Sequence, residues 1–271
     1  MTFRIRFAKY GVVKFIGHLD VMRYFQKVIR RSELPVCYSK GFNPHQILSF
    51  AQPLGVGITS DGEYMEVDFE DEALFEAAGV TPSGSRDIGN GVTVLLWEKK
   101  DAPVLEKYVF DGMSAETTEG FEVLEVKLLP PPKPNVHTDK AMSLVREADY
   151  CVSLKDGYSV GIKDEAEFLE RFDDFLKQKE IRVVKKSKKN EQETDIRPLI
   201  YKAGDITGFD PAGIAHADEY ESGQRVFMKL AAGSAANLRP EPVMEAFCGF
   251  IGQEYSPHAF QVHRMQLFLG K

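Results

Sequence analysis

The sequence predicts an α+β protein built from two tandem ferredoxin-like (βαββαβ) units with antiparallel sheets. Three observations lead there. Runs of period two and period 3.6 follow in the order strand, helix, strand, strand, helix, strand over residues 2–98. The same order returns in the last half of the chain. A stiff polyproline segment, Pro130-Pro131-Pro132-Lys133-Pro134, lies between the two. The expected organisation is a first unit at 1–100, a strand-containing, Pro-rich connector at 101–140, and a second unit at 141–271.

Each element has a local reason. In residues 2–9, Phe3, Ile5 and Phe7 alternate with Arg4 and Arg6, the pattern of a half-buried strand. Gly11 marks a turn. From Asp20 to Ser32 the period becomes helical, with Val21, Phe25, Val28 and Ile29 on one side. Asp20 is an anion in the first turn, where the helix dipole favours it. Leu34-Pro35 ends the helix. Residues 38–46 are dense in turn formers and predict an ordered loop. Ile47–Leu54 and Glu63–Phe69 predict strands, with Ser60-Asp61-Gly62 between them. A short helix is expected at Asp71–Ala78 and a strand at Val92–Trp97.

After the connector, with a strand at Phe121–Leu129, the expected strands are Asp149–Leu154, Ile181–Lys186, Arg225–Ala231 and Phe260–Leu269. Asp164–Lys179 is an amphipathic helix with Phe168, Leu169, Phe172, Phe175 and Leu176 on one face. Pro240–Gly252 is a helix with proline near its first turn, where a missing N–H costs little. Gly204–Ser222, rich in Gly and Asp, is expected as a loop.

Composition excludes several classes. Hydrophobic residues are 43% and charged residues 28% of the chain, so it is neither disordered nor fibrous. No apolar run has the ~18 residues of a membrane helix. Arg4, Arg6, Lys9 and Lys14 interrupt the N-terminal apolar residues, unlike a signal peptide. Cys37, Cys151 and Cys248 are too scattered for a disulfide framework or metal spacing. A reduced, cytoplasmic protein without cofactor or metal is expected. The net charge of −7 disfavours nucleic acid, but its distribution does not: residues 1–50 hold nine Lys/Arg and two acids, and the remainder sums to −14.

The candidate site follows that asymmetry. Arg23, Lys27, Arg30 and Arg31 stand at i, i+4, i+7 and i+8 and form one basic stripe suited to phosphate. A solvated helix face explains such a stripe too, but like charges at this spacing repel. The loop offers donors from Ser39, Lys40, Asn43 and His45, a glycine at Gly41 for close approach, and the Tyr38 and Phe42 rings for stacking on a base. His18 and His45 are candidate general acid and base for RNA cleavage without metal; a hydrogen bond at the helix start explains His18 as well. Asp20, Asp195, Arg197 and Arg264 are supporting candidates. Alternation places His263 and Arg264 on opposite faces of the last strand. Arg182, Lys185, Lys186, Lys188 and Lys189 form a basic run that suits a solvated strand end. The sequence has no GxxxxGK[ST], strand-linked GxGxxG, HExxH, GxSxG or CxxxCxxC motif.

The stretch over residues 3–69 resembles the radical-SAM-linked protein family, a bacterial family of unknown function. The resemblance rests on His18-Leu19-Asp20, Arg30-Arg31 and Ser39-Lys40-Gly41-Phe42-Asn43-Pro44-His45, with later pieces at Asp195-Ile196-Arg197-Pro198, Leu238-Arg239-Pro240 and His263-Arg264. It implies a companion of a radical SAM protein, encoded beside it or fused to it and presenting an RNA substrate. It carries over no catalytic residue. The expected function is therefore an accessory RNA-binding module. The alternatives are a docking module for the radical SAM partner without nucleic acid, and an endoribonuclease using His18 and His45.

Overall fold

The computed structural model describes residues 1–89, 91–134, 139–186 and 191–270. It is a mixed α/β structure with six α-helices among the described residues and mostly antiparallel strand pairing. The chain divides into two compact units. The first contains Met1–Val56 and Glu63–Leu144; the second contains Gly57–Gly62 and Val145–Lys271. No helix among the described residues is long and apolar enough to cross a membrane.

The first unit begins with β1 (Thr2–Lys9), whose alternation buries Phe3, Ile5 and Phe7. Helix α1 (His18–Arg31) buries Val21, Phe25, Val28 and Ile29, the face its periodicity marks. Strands β2 (Leu48–Phe50) and β3 (Thr59–Asp68) follow, then α2 (Asp71–Ala77), β4 (Gly84–Asp87), β5 (Thr93–Leu96), α3 (Ala102–Glu116) and β6 (Phe121–Leu128). The sheet order is β6-β1-β3-β2, with β1–β6 and β2–β3 antiparallel. Phe7, Phe25, Phe50 and Phe121 meet in the core; the Phe7 and Phe25 centroids are 4.6 Å apart.

Three expectations change here. Ser60-Asp61-Gly62 does not lie between strands; it lies inside β3. The strand at residues 92–97 does not join the main sheet and pairs with β4 in a separate hairpin, while β6 lies beside β1. Residues 102–116, which carry no clear periodicity, form α3. Only Leu105, Val109 and Met113 of that helix are buried, and Val104 is exposed, so apolar residues lie around much of its circumference.

The second unit follows α4 (Ala141–Leu144). It contains β7 (Val145–Leu154), α5 (Glu165–Leu176), β8 (Arg182–Lys186), β9 (Glu191–Asp195), β10 (Ile200–Gly204), β11 (Arg225–Ala231), α6 (Pro240–Phe250) and β12 (Phe260–Leu269). The order is β10-β11-β7-β12, antiparallel throughout, and His263 and Arg264 of β12 pair in parallel with Thr59 and Ser60. Asp164 caps α5 by accepting from the Glu167 N–H at 2.9 Å. Phe168, Phe172 and Phe175 of α5 pack edge-on around Phe247 of α6. Strands β8 and β9 form a separate hairpin. Lys188 and Lys189 of the basic run lie outside the described residues.

Candidate nucleic-acid interface

The path from β1 to α1 is fixed by a buried lysine. Lys9 is 1% exposed and donates from Nζ to the carbonyls of Ile16 at 3.1 Å and Lys14 at 3.3 Å. This holds the 3-10 turn Gly11–Phe15 against the end of the strand, and Gly17 then opens α1. Val12, Phe15 and Leu19 remain exposed along this path.

All four cations of the α1 stripe are exposed. Arg23 pairs with Asp20 at 3.3 Å. Arg31 binds the Glu116 carboxylate at 2.8 Å and the Glu116 carbonyl at 2.7 Å, which ties the end of α1 to the end of α3. Lys27 and Arg30 have no ion-pair partner among the described residues. Arg30 and Arg31 also stand in the last turn, where the helix dipole favours cations. The stripe is therefore partly structural at its ends and uncompensated in its middle.

The loop is a closed hairpin. Ser39 N–H donates to the His45 carbonyl at 2.8 Å, and Ile47 N–H donates to the Cys37 carbonyl at 2.8 Å. The His45 N–H donates to Ser39 Oγ at 3.1 Å, and Ser39 Oγ lies 2.8 Å from His45 Nδ1. The Ser39 hydroxyl can accept the backbone N–H and still either donate to or accept from Nδ1, so the pair closes the loop with either ring tautomer. Buried Gln46 donates from Nε2 to the Gln26 carbonyl at 3.2 Å, fastening the hairpin to α1 beside Lys27. Lys40, Gly41, Phe42, Asn43 and Pro44 form the exposed tip. Gly41 has φ +129°, a conformation glycine accepts without strain. Phe42 is fully exposed and Tyr38 half exposed.

The two candidate catalytic histidines have separate partners. His18 packs edge-on against Phe50, with centroids 5.0 Å apart, and borders a small cavity with Lys9, Pro53 and Glu63. His45 belongs to the Ser39 bonds. They make no contact with each other among the described residues.

The supporting candidates in the second unit serve the backbone. Asp195 accepts from the N–H groups of Ile181 at 2.9 Å and Arg197 at 3.0 Å, and these bonds hold its carboxyl below the usual range. The Arg197 guanidinium donates to the carbonyls of Leu176 and Ile200, both at 3.2 Å. No ion pair joins Asp195 to Arg197 among the described residues. His263 and Arg264 are each 2% exposed, so both faces of β12 are covered at this level, as befits an interior strand.

A polar cluster in the second unit was not legible from sequence. Asp61 is 1% exposed and accepts from His216 Nδ1 at 2.5 Å and the His216 backbone N–H at 3.0 Å. His263 Nε2 lies 3.3 Å from the same carboxylate and 2.8 Å from the Gly213 carbonyl, while its Nδ1 lies 2.9 Å from Thr59 Oγ1. Burial pushes the Asp61 carboxyl up, but the bonds from His263 and His216 outweigh it and hold the carboxyl below its ordinary value. Asp61 falls between two expected strands and His216 in an expected loop, so neither carried a local signal. Elsewhere, a cleft of about 500 Å³ in the first unit is lined by Asp68, Glu70, Asp71 and Glu72 beside Trp97 and Pro130–Pro132, a lining that repels phosphate.

No curated protein matches the sequence. The bacterial family described as "uncharacterized protein conserved in bacteria (DUF2344)" matches residues 2–95 and 99–240, and the chain belongs to that family.

Proposed function

We propose that the chain is an accessory RNA-binding module that works with a radical SAM enzyme. The observation that carries this reading is the pair Lys27 and Arg30. Both are exposed, neither has an ion-pair partner among the described residues, and the Gln46–Gln26 bond fastens the 38–46 hairpin to their turn of α1. Uncompensated cations beside a rigid loop bearing aromatic and polar side chains suit a phosphate backbone with its bases. Ser39 and His45 shape the loop, and Lys40, Phe42 and Asn43 present its contacts. The radical SAM partner rests on the sequence resemblance, and the exposed Val12, Phe15 and Leu19 supply an apolar surface for it.

We read both units as ferredoxin-like. The order β6-β1-β3-β2 in the first and β12-β7-β11-β10 in the second support this, because each places the first strand of its unit between the last and the third. In the first unit α1 and α3 then serve as the two helices of the repeat, with α2, β4 and β5 inserted between them.

The test is binding of labelled RNA by fluorescence anisotropy as salt is raised from 50 to 200 mM. Three or four phosphate contacts predict a log–log slope of about −2 to −3. Lys27→Glu with Arg30→Glu should weaken binding at least ~10-fold and flatten the slope by roughly 1 to 2. Arg31 is left intact because it anchors Glu116. No binding at low salt, or binding indifferent to salt, would overturn the RNA role. Loss of a co-purifying radical SAM partner on the double reversal, with RNA binding unchanged, would favour docking instead.

A further inference from the structure

We infer that the tip of the 38–46 hairpin is a stacking platform for an unpaired base, so that the RNA held by this face is single-stranded where it meets Phe42. This rests on the RNA-binding reading and adds the form of the substrate. Phe42 is 112% exposed, meaning that its ring touches nothing else in the unit. An aromatic ring left wholly in water forgoes the burial that normally stabilises it. The base of the hairpin that carries it is closed by the Ser39–His45 and Cys37–Ile47 bonds and fastened to α1 through Gln46.

The closed base fixes where the chain carries this ring, beside the α1 cations. What it can cover is a flat apolar face. In a duplex the base faces are stacked on one another and hidden; in a single strand they are open. Stacking on a protein ring is tolerant of sequence, since every base has such a face. Tyr38, half exposed at the foot of the same hairpin, makes no ring contact with Phe42 and offers a second face. Lys40 at the tip, with Lys27 and Arg30 on α1, supplies cations for the flanking phosphates. The charge provides the salt-dependent attraction and the ring provides the preference for an unpaired base.

The experiment compares a single-stranded 12-mer RNA with its blunt duplex on the full chain at low salt, for the wild type, Phe42→Ala, Phe42→Trp and the Lys27→Glu/Arg30→Glu variant. The single strand should bind more tightly than the duplex. Phe42→Ala should weaken single-strand binding about 10-fold while leaving duplex binding and the salt slope unchanged. Phe42→Trp should restore the affinity and show quenched indole emission on binding. If duplex and single strand bind equally and Phe42→Ala changes neither, the stacking platform is overturned while the RNA-binding reading stands. If neither RNA binds the wild type, that reading itself fails.

Discussion

Asp61 is a buried acid at the centre of a polar cluster in the second unit. Its carboxylate is buried and accepts from the ring and backbone of His216, with His263 beside it. Asp61→Asn keeps the shape but turns one acceptor into an N–H₂ group facing ring and backbone donors. Leaving such groups mismatched in a buried site costs about 2–4 kcal/mol, which a urea titration at pH 7 will measure. The pH dependence has a definite sign. The folded carboxyl lies below its unfolded value, so its stabilisation is complete above about pH 4 and is lost as the pH falls through the lower folded value. The urea midpoint of the wild type should therefore drop more steeply in that window than that of Asp61→Asn. Parallel profiles for the two proteins would remove this role. At this scale Ser39, Phe42 and His45 stand out in the sequence because they lie in one short loop beside a basic helix. The grouping of Asp61, His216 and His263 was not legible, because they are separated by long stretches of chain and meet only through tertiary pairing; His263 stood out only for its place on the last strand.

At the scale of elements, β3 shows why Ser-Asp-Gly is an ambiguous signal. The tripeptide has turn composition, yet Gly62 lies in a strand whose neighbour comes unusually close. A Cβ at this position would press on the Gln266 Cα, 2.6 Å from the Gln266 nitrogen and 2.7 Å from the Met265 carbonyl oxygen. Those atoms are backbone of β12 and cannot rotate aside. Gly62→Ala should therefore destabilise by about 3 kcal/mol in urea unfolding. Gly249→Ala is the internal control: it has open space around it near the end of α6, and alanine should be neutral or stabilising by up to ~1 kcal/mol. Equal effects of the two changes would show that close approach does not explain Gly62. The same contrast accounts for the helices. Helices α1 and α5 were legible because one apolar face alternates with charge, and both bury those faces. Helix α3 was not, because apolar residues lie around much of it and only its packing selects the buried side.

At the scale of the whole molecule, the charge distribution was legible and the place of residues 57–62 was not. The net charge of −7 conceals a +7 segment over residues 1–50, and the uncompensated cations of α1 lie within it. By contrast, residues 57–62 belong with the second unit although they sit between two parts of the first. No local pattern announces this, since it arises from the pairing of Thr59 and Ser60 with His263 and Arg264. The consequence is that one cut in the chain cannot release an intact second unit. A fragment of residues 145–271 keeps His216 and His263 but loses Asp61 and Thr59, and it exposes the edge of β12 that those residues cover. Several polar groups then lack partners at once, at a cost on the order of 3 kcal/mol or more. The fragment should unfold at lower urea than the same fragment carrying residues 57–62 on a flexible linker, and its amides near His263 should exchange faster with solvent. Identical urea midpoints and exchange rates with and without residues 57–62 would mean that the segment does not complete the unit.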